Sequence, residues 1–174
     1  FKELISEIGV QGIWKFMNEP AVMDITKKTF PNDVRHDYDG NPCSHRKAHN
    51  VYGTQMARAT YEGVKRFSYP KRPFIITRSA YSGAQRYTSS WTGDNVASWE
   101  HLWIANIQMQ RMSMSGMGFT GSDIGGFAEQ PSGELYARWI QLGVFHPFCR
   151  THSSGDHGEQ EPWSFGKEVI DITR

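Results

Sequence analysis

Apolar residues in this chain fall into short blocks separated by longer segments of helical periodicity. Leu4, Ile5, Ile8 and Val10 form an amphipathic stretch that leads into Gly12-Ile13-Trp14, which reads as a short buried strand. A polar connection follows from about Asp24 to Asn50, rich in turn residues such as Pro31-Asn32-Asp33 and Asp39-Gly40-Asn41-Pro42. Connections that long more often carry function than serve as plain linkers. Asn50 is a suitable cap for a helix with Tyr52, Met56, Ala59, Gly63 and Phe67 at helical spacing, and Pro70 and Pro73 end it.

Phe74-Ile75-Ile76-Thr77 then predicts a buried strand running into Arg78. A Gly/Ser/Tyr segment leads to Trp91-Thr92-Gly93-Asp94-Asn95. Ser98 caps a helix from Trp99 to about Met114, with Glu100 favourably placed in its first turn and Gly116 at its stop. Gly118 to Asp123 reads as a strand. A helix from about Gly133 to Val144 has Leu135, Trp139 and Leu142 inward, Phe145 to His152 is strand-like, and a last helix begins near Glu168.

About five strands alternating with helices predict an α/β fold with a parallel sheet and crossover helices. Arg78, Asp94, Asp123, Arg150 and His152 all fall at or just beyond strand ends. That is the catalytic face of a barrel and equally the ligand side of an open doubly wound sheet, so position alone does not choose between them.

Composition narrows the chemistry. Hydrophobic residues make up 38% and charged residues 21% of the 174 positions, and no apolar run approaches the roughly 20 residues that span a bilayer. A net charge of +1 without a basic stripe argues against nucleic acid. Six Trp, seven Tyr and ten Phe beside Asp, Arg and His suit sugar binding, because a pyranose face packs on a ring while its hydroxyls need polar partners. Large cores also use aromatics, however, and composition alone favours that plainer reading.

Several patterns lack the context that would give them meaning. Gly116-Met117-Gly118-Phe119-Thr120-Gly121 has the spacing of a dinucleotide loop but follows a helix and precedes a strand, the reverse of that motif. Neither Cys43, His45 and His49 nor His146, Cys149, His152 and His157 completes a zinc ligand set. Met109, Met112, Met114 and Met117 read most simply as core filler, and a Ser-His-Asp triad has no nucleophile elbow. What remains are acids in aromatic, glycine-rich settings: Glu19, Asp94 and Asp123. Glycosidases need paired carboxyl groups, one kept protonated by a partly apolar pocket. A single Asp beside a Gly reads better as a turn residue, but three such acids on successive βα units, together with Arg78 and His152, strain that reading.

At these residues the chain resembles glycoside hydrolase family 31, the α-glucosidase and α-xylosidase family. Gly12-Ile13-Trp14-Lys15-Phe16-Met17-Asn18-Glu19-Pro20 is similar to its nucleophile segment, W-x-D-M-N-E, and Trp91-Thr92-Gly93-Asp94-Asn95 to its acid/base segment. Arg78-Ser79, Gly121 to Phe127 and Arg150-Thr151-His152 match three further signatures in order. The resemblance implies that residues 1–174 are part of a (β/α)8 TIM barrel, roughly strands four to eight. It implies a retaining α-glucosidase acting on terminal α-linked glucose of oligosaccharides and needing no metal or organic cofactor. Asp94 would be the acid/base. Trp14, Met17, Trp91 and Phe127 would wall the sugar pocket, and Arg78, Asp123, Arg150 and His152 would hold hydroxyls or support those that do. The barrel would need its N-terminal strands to be complete.

One departure governs the expected activity. The resemblance places an Asp nucleophile where this chain has Phe16, beside an atypical Lys15. A phenyl ring has no lone pair to attack an anomeric carbon, so the chain is expected to be inactive as written. The alternatives are a non-catalytic sugar-binding pseudoenzyme and a generic α/β scaffold.

Overall fold

The computed structural model describes residues 1–174, which form two compact units, Phe1–Ser90 and Trp91–Arg174. In the first unit, β1 (Gly12–Lys15) pairs in parallel with β4 (Phe74–Thr77) from Gly12↔Phe74 to Lys15↔Thr77. The last bond in line is Arg78 N–H to the Lys15 carbonyl at 2.9 Å. β4 pairs in parallel with the start of β5 (Ser89–Trp91) through Ile76↔Ser89 and Thr77↔Ser90. Ile75, Ile76 and Thr77 are buried, as a strand covered on both faces should be. β1 stands at the sheet edge and is less buried than the sequence predicts, with Trp14 substantially exposed. The amphipathic stretch before it contains one π-helical turn, Glu3–Glu7, that buries Ile5.

The polar connection contains a short antiparallel pair, β2 (Arg35–His36) with β3 (Cys43–Ser44), that the pattern did not reveal. It moves the start of α1 (His45–Ser68) five residues ahead of the expected Asn50 cap. The first-turn N–H groups of α1 are satisfied from a distance: His45 donates to the Val34 carbonyl at 2.7 Å and Arg46 to that of Asn32 at 3.2 Å. His45 is buried against His36, with Nε2 of His36 and Nδ1 of His45 2.9 Å apart, and burial followed by the neighbouring His36 and His49 lowers its pKa.

The face of α1 that meets the sheet also differs from the apolar stripe. Ala48, Gly53, Thr54, Ala57, Thr60 and Val64 are buried, whereas Tyr52, Met56 and Phe67 are half-buried and Ala59 is exposed. Close approach explains this. A Cβ on Gly53 would lie 2.6–2.7 Å from Ser79, so small side chains rather than large apolar ones define the inner face.

In the second unit, Ser98 caps α2 (Trp99–Met114) by accepting the His101 N–H, and Gly116 at φ 83 ends it. The expected single strand before Asp123 is two short ones, β6 (Thr120–Gly121) and β7 (Asp123–Ile124). The strand-like run from Phe145 contracts to β8 (Arg150–Thr151), parallel to β7. Phe145 and Val144 turn outward and are exposed, so hydrophobicity there does not mark a strand. Helices α3 (Gly133–Gly143) and α4 (Lys167–Thr173) complete the unit. Its core gathers Ala105, Ile124, Leu135, Tyr136, Trp139 and Val169, with Tyr136 stacked on Phe165 at 4.7 Å. No helix is long and apolar enough to cross a membrane.

Candidate active site

In the first unit the predicted residues gather where β1 and β4 end. The ring of Phe16 stacks on Trp14, with centroids 4.9 Å apart and planes 20° from parallel. The Arg78 guanidinium lies 5.9 Å from the Phe16 centroid. Met17 takes a left-handed conformation, φ 54, which turns the chain sharply after the strand. Arg78 grips Glu19 in a fork, Nε to Oε1 at 2.8 Å and Nη2 to Oε2 at 3.2 Å. Arg78 was expected to face a sugar; its guanidinium is also the anchor of Glu19, the acid next to the expected pocket.

In the second unit the ends of β5, β7 and β8 bring Trp91, Asp94, Asp123, Phe127, Arg150 and His152 into one neighbourhood. Thr92 N–H bonds the Gly121 carbonyl at 3.0 Å, aligning the segment that carries Asp94 with the one that leads to Asp123. Asp94 is exposed, whereas Asp123 is fully buried and accepts from Arg150 Nη2 at 3.2 Å. The Arg150 guanidinium also lies 5.4 Å over Trp91 and 5.1 Å over Phe148.

Burial pushes the Asp123 carboxyl up to about 7 and the Asp94 charge adds to the rise, while Arg150 and Trp91 oppose it. Burial and then the Arg150 charge lower the His152 pKa, and Asp94 opposes them. His152 meets Phe127 at 5.2 Å between ring centroids. Phe127 is held from below: the Asn95 carbonyl accepts both the Phe127 and the Ala128 N–H, at 2.6 and 3.0 Å. An exposed acid, a buried acid shared with an arginine, a histidine and two ring walls can bind a polyhydroxylated ligand and exchange protons with it.

The profile of the glycosyl hydrolases family 31 TIM-barrel domain matches residues 1–174. The chain belongs to glycosyl hydrolase family 31. Alpha-glucosidase 2 of Bacillus thermoamyloliquefaciens is 46% identical over 172 residues, which cover 99% of this chain and 22% of that protein. Among solved structures, the family 31 alpha-glucosidase of Bacteroides thetaiotaomicron superposes with a TM-score of 0.84 at 40% identity, covering 96% of this chain and 26% of its own. The glucosidase II alpha subunit, solved with alpha3-Glc2 bound, gives a TM-score of 0.89 at 34% identity, covering 99% and 19%. This family 31 chain therefore spans about a fifth to a quarter of the length of the relatives it matches.

Two pairs beside the predicted residues escaped the sequence reading. Asn18 and Thr77, both buried, bond each other at 2.8 Å between the ends of β1 and β4. Trp139 donates from Nε1 to Ser122 Oγ at 3.0 Å beneath Asp123. The available signal was a polar residue closing an apolar block, Thr77 after Phe74-Ile75-Ile76, and Ser122 beside Asp123. No group of three or more His, Cys, Asp or Glu side chains is assembled to hold a metal ion.

Proposed function

We propose that this chain is the C-terminal part, roughly strands four to eight, of the catalytic barrel of a retaining α-glucosidase that acts on terminal α-linked glucose. Position 16 is the nucleophile site, and its replacement by Phe leaves the chain inactive as written. The observation that carries this reading is where position 16 sits: on the first residue beyond β1, on Trp14 and under Arg78. In this reading Asp94 protonates the leaving oxygen and then activates water. Trp14, Met17, Trp91 and Phe127 wall the glucose. Arg78, Asp123 and His152 hold its hydroxyls, with Arg150 supporting Asp123 through their hydrogen bond. The substrate is an α-glucoside oligosaccharide, and the N-terminal strands lie elsewhere in the polypeptide. The place of β1 at the edge of its sheet supports that last point.

Restoring Asp at position 16 in the intact polypeptide tests the reading. Phe16→Asp should release aryl alcohol from an aryl α-glucoside with net retention, where the Phe16 chain should release none. Losing a covalent nucleophile costs many orders of magnitude, so the contrast is large.

The Trp14–Phe16 stack favours one second reading, a sugar-binding pseudoenzyme in which Phe16 enlarges the ring surface. Glucose binding retained by a Phe16→Asp protein that does not turn over would select it.

A further inference from the structure

We propose that Asn18 is a positioning residue that sets position 16 and Arg78 at the same depth by closing a buried ring of hydrogen bonds between the ends of β1 and β4. The inference rests on the reading of position 16 as the nucleophile site.

The ring has three members. Asn18 Nδ2 donates to Thr77 Oγ1 at 2.8 Å, Thr77 Oγ1 donates to the Ser79 carbonyl at 3.0 Å, and the Ser79 N–H donates back to Asn18 Oδ1 at 3.3 Å. Asn18 is 1% exposed and Thr77 is fully buried. The single hydroxyl proton of Thr77 is committed to Ser79, so Thr77 can only accept from residue 18. An amide satisfies both of its neighbours; an ionised carboxylate at position 18 would put lone pairs against the Thr77 oxygen.

Position matters as much as satisfaction. The parallel ladder ends at Lys15↔Thr77 and the Arg78 N–H to Lys15 bond, and beyond it the connection passes to side chains. Residue 16 lies just past that point, and residue 17 is in the left-handed region, where the backbone needs support to stay. The Glu19–Arg78 pair joins the same two segments, but its side chains are 38% and 20% exposed, and partly solvated pairs hold geometry weakly. The buried ring is the stiffer of the two connections. It is also braced from behind, because α1 presents Gly53 to Ser79 and the Thr54 hydroxyl accepts the Tyr81 N–H at 3.2 Å.

The test uses four variants of the intact polypeptide in the Phe16→Asp background, assayed on an aryl α-glucoside, with glucose binding measured alongside. Asn18→Ala, Asn18→Asp and Thr77→Val should each lower kcat about a hundredfold, the scale of a displacement near 1 Å at a reacting centre. Glucose binding should change less than about threefold, the ground state being less sensitive to such displacement than the reacting geometry. Thr77→Ser keeps the hydroxyl and should restore kcat to within about threefold of its parent.

Hydrogen exchange in the Phe16 protein supplies a readout without turnover. Asn18→Ala should speed exchange selectively in residues 16–20 and 77–81. If Phe16→Asp itself is inactive, the functional reading fails while the exchange measurement still decides the positioning role. The proposal is overturned if Asn18→Ala leaves kcat at its parent's value, if Thr77→Ser falls as far as Thr77→Val, or if exchange in those two segments is unchanged.

Discussion

Arg78 holds Glu19 through two hydrogen bonds, at 2.8 and 3.2 Å, across the ends of two neighbouring parallel strands. The pair joins the segment that follows β1 to the first residue after β4. Both side chains keep solvent contact, so its value is orientation more than stability. Glu19→Gln should therefore shift unfolding by less than about 1 kcal/mol in urea denaturation. The same substitution in the Phe16→Asp protein should reduce activity at least tenfold, because an amide keeps one acceptor for the Arg78 fork but loses the second acceptor and the charge. A loss of stability as large as that of a core truncation would contradict this account.

Gly53 gives an inverted expectation for a helix. Replacing an interior helical glycine by alanine ordinarily stabilises by about 1 kcal/mol. Here the new Cβ would meet Ser79 at 2.6–2.7 Å, including its backbone carbonyl, which cannot step aside as a flexible side chain would. Gly53→Ala should lower the urea midpoint, by roughly 1–3 kcal/mol of strain. A stabilised variant would show that α1 and the Ser79 segment are further apart than described.

The pH dependence of stability follows from Asp123. Its native carboxyl is pushed up to about 7, above its ordinary value of 3.8. Between those values the folded chain holds a proton that the unfolded chain releases, so Asp123 makes stability fall as pH rises from about 4 to 7, then level off. Asp123→Asn should remove that part of the slope. Urea unfolding at pH 5 and pH 8 should show the variant gaining on the natural chain by up to on the order of 3 kcal/mol at the higher pH. Equal slopes in the two proteins would refute the shift.

Trp139 is fully buried and bonds Ser122, which is itself fully buried next to Asp123. Ser122→Ala leaves the indole N–H without its acceptor and should cost about 1–3 kcal/mol. Trp139→Phe removes the donor and part of a core ring and should cost about 2–4 kcal/mol. The double variant should fall short of the sum, since the two lose one shared bond. Strict additivity in chemical denaturation would mean that the bond contributes nothing.

Sequence legibility varied from element to element. The ends of α2 were readable because Ser98 and Gly116 act within one turn of the chain they terminate. The start of α1 was not, because its first N–H groups bond carbonyls of Asn32 and Val34, ten or more residues earlier in a loop without periodicity. Its inner face was hidden for a related reason: contact with Ser79 demands small residues, and smallness leaves little trace in a hydrophobic pattern. Phe145 misled in the opposite sense, being apolar yet exposed.

From the sequence alone came the alternation of strands and helices and the aromatic acid-bearing segments at strand ends. These depend on periodicity and on residue identity, which are properties of consecutive positions. Only the folded chain showed that Asn18 meets Thr77 across 59 residues, that Glu19 belongs to Arg78, and that Asp123 is buried deeply enough to hold its proton near neutrality. Each of these arises from strand register and desolvation, which are determined when distant segments pack together.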